Sequence, residues 1–368
     1  MSAAIPPASH RRMVILAEGL FSSLNSKTAN GAIRYLPEQV VGVIDSTKAG
    51  KTAQDVLGFG GSIPVFRDLN ESFPRQPNTL LIGIAPTGGR LPEEWRETLR
   101  ESIRHGLHII SGLHTFISDD AELASLAEKH RVAILDLRKV PREYSVVSAG
   151  AWRTRKAKTV LTVGTDCNVG KMTASYEMDR EMKRRGLKSE FLATGQTGIL
   201  IGGRGIAVDA VVSDYVAGSI ERAISECEAD GAEFIHVEGQ GALTHQGYSG
   251  VTLGLIHGTM PDAMILVHQP ARKTDDYGFP LEDLNMFIRL HEDIVRVFRT
   301  TKVVGVAVNS VGLKGDVEVQ RAIERVESET GLPSADVYRL GAGKLVDALL
   351  EHLRREVAGK FQGLQGRR

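Results

Sequence analysis

Gly164-Thr165-Asp166-Cys167-Asn168-Val169-Gly170-Lys171-Met172-Thr173 is the stretch on which the reading of this chain turns. The β-branched run Thr159–Val163 precedes it, and a helix-patterned segment from Lys171 to about Arg185 follows. A glycine-rich turn between a strand and a helix is the setting of a phosphate-binding loop. Its glycines let several backbone N–H groups converge on one anion; the helix start adds the positive end of its dipole, and Lys171 adds a full charge. Gly164, Thr165, Asp166, Asn168, Gly170, Lys171, Met172 and Thr173 are therefore candidate cofactor-binding residues. Five residues separate Gly164 from Gly170, one more than the common pattern has. Met172 follows the lysine where a Ser or Thr hydroxyl normally holds Mg²⁺. A thioether cannot do that, although Thr173 can still donate to a phosphate. The loop keeps its anion cradle and loses its usual metal ligand, which favours binding a phosphate-rich ligand over splitting a nucleoside triphosphate.

Outward from the loop, short apolar runs alternate with amphipathic segments. Val14–Ala17, Val40–Ile44, Leu80–Ala85, Leu107–Ser111 and Val132–Leu137 read as strands, with a helix from Leu91 to Arg104. A second series has strands at Thr159–Val163, Glu190–Ala193, Glu233–Val237, Ala263–Val267 and Val303–Val308. Helical segments at Val212–Ala229, Leu284–Arg299 and Val317–Thr330 separate them. Near-continuous apolar strands divided by helices mean parallel sheets covered on both faces. The expected fold class is α/β: a Rossmann-like doubly wound domain over 1–148 and a phosphate-loop α/β domain over 149–368. The tail Gly359–Arg368 is expected to fray.

The 368 residues exceed what one core usually supports, in keeping with two domains. Lys plus Arg equals Asp plus Glu at 45 each, which argues against nucleic acid or an anionic membrane as the main partner. Cys167 and Cys227 are too few for a disulfide scaffold or a zinc site of their own, so a reduced, cytoplasmic protein is expected. No apolar run approaches the roughly 18 residues needed to span a bilayer. The H-E-x-x-H and Gly-x-Ser-x-Gly signatures of zinc and serine hydrolases are missing from the sequence.

Ligands of open α/β sheets bind at the carboxyl ends of strands, and polar residues gather at several of these. Ala193-Thr194-Gly195-Gln196-Thr197-Gly198 places Gln196 and Thr197 between glycines. In Val237-Glu238-Gly239-Gln240-Gly241-Ala242-Leu243-Thr244-His245, a carboxylate leaves a buried strand beside two glycines, costly without a role. Gln240, His245 and Ser249 follow it closely. His268 leads into Arg272 and Lys273, either of which could hold a carboxylate or phosphate, and Asn309 ends a strand where an amide could read a base. Asp209 and Asp214 could orient an amine or supply a metal ligand, or simply solvate a helix start. In the first domain, Lys27–Gly31 and Ile84–Arg90 read as polar, glycine-containing loops, either suited to small anions or plain turns. Lys48-Ala49-Gly50-Lys51-Thr52 contains Gly-Lys-Thr without the upstream glycine and reads as an ordinary loop.

Together, Gly164–Thr173, Thr194-Gly-Gln-Thr-Gly198, Val237-Glu-Gly-Gln-Gly241 and Tyr248-Ser-Gly-Val-Thr252 resemble a bacterial and archaeal family once catalogued as a domain of unknown function and associated with D-glutamate N-acetyltransferase. Lys27–Gly31, Val41–Asp45, Gly83–Pro86 and Ser111–His114 extend the likeness over nearly the whole chain. Gln246-Gly247 stands where that family usually has His-Pro. The second domain is also similar to dethiobiotin synthetase, an ATP-dependent ligase that places its metal threonine where this chain has Met172.

The resemblance implies acetyl transfer from acetyl-CoA to the amine of D-glutamate; the loop without its usual metal ligand predicts no metal requirement, and the general habit of such enzymes predicts a homo-oligomer. On that reading the phosphate loop, with Asn309, holds CoA. Glu238 is the first candidate for the general base and His245 the second. Gln196, Thr197, Gln240, Ser249 and Arg272 meet the substrate, Lys273 or the Gly88-Gly89 turn could hold a carboxylate, and a glycine turn supplies oxyanion donors. The alternative is a Mg-ATP-dependent carboxylate ligase or kinase of dethiobiotin-synthetase type, against which Met172 counts. A nucleotide sensor without turnover needs fewer polar groups than these strand ends carry.

Overall fold

The computed structural model describes residues 4–365 apart from 24, 85–88, 90 and 282. The chain divides into two compact units, Met1–Val140 with Ile199–Gly203, and Pro141–Gly198 with Arg204–Arg368.

The first unit carries β1 (Met13–Leu16), β2 (Val40–Ile44), β3 (Val65–Phe66), β4 (Thr79–Ile82), β5 (His108–Ser111) and β6 (Ile134–Asp136). They pair in parallel in the order β3-β2-β1-β4-β5-β6, the doubly wound arrangement of dinucleotide-binding folds. Its helices are α1 (Lys27–Tyr35), α2 (Ala53–Leu57), α3 (Arg96–Arg104) and α4 (Ala121–His130). Every residue of β1 is buried, as a central strand covered on both faces requires.

Three local readings change. Lys27–Gly31 is no loop: it begins α1, whose Ala29, Ala32 and Ile33 join the core at helical spacing. The polar Asn30 masks that spacing in the sequence. Thr52 of the Gly-Lys-Thr stretch caps α2, its hydroxyl accepting from Asp55 N–H while the Asp55 carboxylate accepts from Thr52 N–H. Leu91–Arg104 enters through a 3₁₀ turn at Glu93–Trp95 before α3. Of the turn Ile84–Arg90, residues 85–88 and 90, including Gly88, lie outside the described residues.

The second unit carries β7 (Lys158–Gly164), β8 (Ser189–Leu192), β9 (Phe234–Val237), β10 (Ala263–His268), β11 (Lys302–Val308) and β12 (Ser334–Ala335). Its helices are α5 (Lys171–Arg184), α6 (Gln196–Gly202, whose last turn belongs with the first unit), α7 (Val216–Ala229), α8 (Ser249–Thr259), α9 (Leu284–Arg296), α10 (Gly315–Thr330) and α11 (Gly343–Gln365). The strands are again parallel, in the order β12-β11-β10-β7-β9-β8. Strand β7 lies between β10 and β9, so the chain reverses its direction of winding beside the phosphate-type loop. One face packs Val160, Ile265 and Val267 against Ala174 and Met178 of α5 and Leu345 and Leu349 of α11. The tail expected to fray continues α11 as far as Gln365. No described helix is long and apolar enough to cross a membrane.

Candidate active site

The carboxyl ends of β7, β8, β9, β10 and β11 bring together the loop after Gly164, the segment from Ala193, the stretch from Glu238 to Ser249, His268 to Arg272, and Asn309. Most of the predicted site residues thus share one sheet edge within the second unit.

The loop is held by its own atoms and two neighbours. Lys171 is buried, and its ammonium donates to the Asp166 carbonyl at 2.7 Å. Cys167 N–H donates to Asp166 Oδ1 at 2.6 Å, and Asn168 and Gly170 take left-handed φ values of 60° and 106°. Asn309 donates through Nδ2 to the Val169 carbonyl at 2.9 Å and accepts from Val311 N–H at 3.1 Å. Both ends of that amide are engaged, so Asn309 positions the loop here. Arg272 donates to the Cys167 carbonyl at 3.0 Å, and its Nη2 lies 2.7 Å from both Asp166 Oδ2 and Asp276 Oδ1. It too braces the loop. Thr165 Oγ1 meets His268 Nδ1 at 3.2 Å; burial pushes His268 down to about 4, so this ring is neutral near pH 7. Met172 and Thr173 are half-buried on the first turn of α5.

Glu238 follows directly from β9 and is 5% exposed. Its Oε2 accepts from Thr194 N–H at 2.9 Å and Gly195 N–H at 3.3 Å, and Oε1 accepts from Gln240 Nε2 at 3.2 Å. These donors and nearby Lys171 favour the anion, but desolvation outweighs them and lifts the carboxyl to about 7. The space is closed: a Cβ on Gly198 would stand 2.4 Å from Glu238 Oε2. Gln196, Thr197 and Gly198 therefore open helix α6 at close quarters with the acid, in place of the glycine-flanked loop the sequence implied. A buried carboxyl tuned near neutrality at a strand end has the properties of a general base.

His245 is 2% exposed and lies against Tyr248, stacked at 4.8 Å, and Tyr277, edge-on at 5.2 Å. Its Nδ1 accepts from Gly247 N–H at 3.2 Å, so a neutral ring carries its proton on Nε2. Among the described residues Nε2 has no hydrogen-bond partner, and Asp276 Oδ2 at 3.8 Å is too distant to be one. A proline at 247 would offer no N–H, so this arrangement needs a residue other than proline there. With Nε2 a donor, His245 is a poorer candidate for the base than Glu238. Ser249 opens α8, its N–H donating to the His245 carbonyl at 2.9 Å.

The Asp166 carboxylate, the Cys167 thiol and a ring nitrogen of His245 lie within 4.8 Å of one another, all buried. Such donors can ligate a divalent ion, but the Arg272 guanidinium already neutralises Asp166 from 2.7 Å. Asp209 and Asp214 stand on exposed 3₁₀ turns, and Lys273 is exposed. Sequence reasoning passed over Asp276 and Tyr277, whose Asp-Tyr-Gly turn gave only a loop signal.

Family models match both parts of the chain. One, described as a domain of unknown function (DUF1611_C) P-loop domain, covers residues 146–346. The other, a DUF1611_N Rossmann-like domain, covers residues 46–140. A D-glutamate N-acetyltransferase of Tritonibacter scottomollicae is 40% identical over 331 residues, which is 89% of this chain and 94% of that protein. One of a Pseudoalteromonas species is 36% identical over 276 residues, 73% of this chain and 80% of its own. The crystal structure of a DUF1611 family protein from Anabaena variabilis superposes with a TM-score of 0.87 at 36% identity, covering 93% of this chain and 100% of that one.

Proposed function

The chain belongs to the DUF1611 family, and from that premise we propose that it transfers an acetyl group from acetyl-CoA to the amine of D-glutamate. The name shared by the Tritonibacter and Pseudoalteromonas relatives supports the acceptor and the group transferred. The observation that carries the chemistry is Glu238, buried at a strand end beside an anion-binding loop and lifted to about 7.

In this mechanism the acceptor amine gives a proton to a Glu238 carboxylate oxygen and attacks the thioester carbonyl carbon. The tetrahedral intermediate collapses with cleavage of the carbon–sulfur bond, and CoA leaves as a thiolate that takes up the proton held by Glu238, which returns to the carboxylate. A base whose ordinary value lies far below neutrality would be a weak proton acceptor; burial brings Glu238 close to the working pH. The loop, Lys171 and the start of α5 form a cationic cradle for one of the two anionic reactants. Met172 leaves the usual Mg²⁺ position of that cradle without an oxygen ligand.

Thiol release from acetyl-CoA, measured with D-glutamate, with L-glutamate and without acceptor, tests the reading. It predicts release that depends on D-glutamate. Release equal in all three mixtures, or none in any, contradicts it.

A further inference from the structure

We propose that the loop between β7 and α5 holds a carboxylate of the amino-acid acceptor, and that the phosphates of CoA bind elsewhere. The proposal rests on the acetyl-transfer reading with Glu238 as base, and departs from the expectation that the loop cradles CoA. Its ground is the distance between the loop and that base.

Glu238 and the cradle occupy adjacent lanes of one sheet. Leu161 of β7 pairs with Val237 of β9, and neighbouring strands lie about 4.8 Å apart. Thr162 Oγ1 ties the two together, 3.2 Å from the Lys171 carbonyl, 3.4 Å from the Val237 carbonyl and 3.0 Å from Gly239 N–H. A Cβ on Gly239 would stand 3.0 Å from Lys171 Cδ. An anion in the loop therefore stands about one strand away from Glu238, whose carboxylate accepts from Thr194 and Gly195 N–H.

The two anionic reactants fit that spacing differently. The α-amine of glutamate is two bonds from its α-carboxyl carbon and four from its γ-carboxyl carbon. A carboxylate in the loop places the amine within reach of Glu238. In CoA the pantetheine arm separates pyrophosphate from sulfur by an amide chain about four residues long, roughly 12–14 Å when extended. Reacting atoms must approach to about 3–3.5 Å. Pyrophosphate in the loop would carry the thioester away from Glu238 unless the arm doubled back on itself.

His245 supplies an independent indication. Its Nε2–H is buried, lacks a hydrogen-bond acceptor among the described residues, with Asp276 Oδ2 at 3.8 Å, and belongs to a ring with a nitrogen within 4.8 Å of the Asp166 and Cys167 side-chain atoms of the loop. An orphaned buried donor beside the loop suits an ionised carboxylate, which only accepts, with Arg272 rather than His245 offsetting the Asp166 charge nearby.

Steady-state kinetics of Lys171→Met test the assignment. The KM for D-glutamate should rise roughly tenfold to a hundredfold, as expected for loss of one charge-assisted hydrogen bond, while the KM for acetyl-CoA stays within about twofold. The opposite split overturns it. Because Lys171 also holds the loop, a second measurement uses the unaltered protein. Inorganic pyrophosphate should compete with D-glutamate, whether or not it also occupies the phosphate site of CoA; competition with acetyl-CoA alone overturns the assignment. If no acetyl transfer occurs at all, the activity reading fails separately. Calorimetric titration with CoA then decides the loop, since CoA binding to the unaltered protein that is abolished in a folded Lys171→Met protein places CoA there.

Discussion

At the scale of single residues, Glu238 is set by a contest between burial and hydrogen bonding. Backbone N–H groups of Thr194 and Gly195 favour its charge, and desolvation wins, leaving a carboxyl near 7. Ionised Glu238 is the active form of a base, so kcat/KM should climb as pH rises through about 7 and level off above it. Glu238→Gln should lower turnover by roughly a hundredfold to ten-thousandfold, with CoA affinity retained, and should abolish that limb of the pH profile. Unchanged turnover in a folded variant removes Glu238 from the mechanism. Its place at the end of a buried strand was legible in the sequence, because an apolar run leads straight into an acid flanked by glycines. The state of His245 was not: its tautomer follows from the Gly247 N–H, and its burial from Tyr248 and Tyr277, a neighbour far along the chain. Arg272 and Asn309 were visible as polar strand-end residues, but their partners in the loop are tertiary contacts.

At the scale of elements, the phosphate-type loop was readable because strand, glycines, lysine and helix stand in sequence order. Helices α1, α6 and α8 were not, because glycine and small polar residues in their first turns read as loops. Those small residues have a packing reason in α6, where Gly198 leaves room for the Glu238 carboxylate. Gly198→Ala should displace that carboxylate and lower kcat by at least about tenfold, a loss of roughly 1.4 kcal/mol or more in transition-state stabilisation. Kinetics together with thermal melting check this; wild-type kcat in the variant would show that Glu238 tolerates the shift. The two-residue strands β3 and β12 lie below what periodicity can reveal.

At the scale of the molecule, two parallel sheets were legible from near-continuous apolar strands such as Val40–Ile44 and Ala263–His268, each followed by helical sequence. The return of Ile199–Gly203 to the first unit was not, since nothing local marks which core Leu200 joins. A sheet of this order with a lysine-bearing loop at its reversal point accommodates phosphoryl chemistry as readily as acyl transfer, and function rests on the residues placed there. Met172 in the metal position and Glu238 near neutrality favour acyl transfer. The most direct measurement offers both chemistries at once: D-glutamate with ¹³C-acetyl-CoA and Mg-ATP, followed by NMR with and without EDTA. The account predicts labelled N-acetyl-D-glutamate at equal rates in both mixtures, with ATP intact. ADP appearing only with Mg²⁺, while the label stays on CoA, would contradict it.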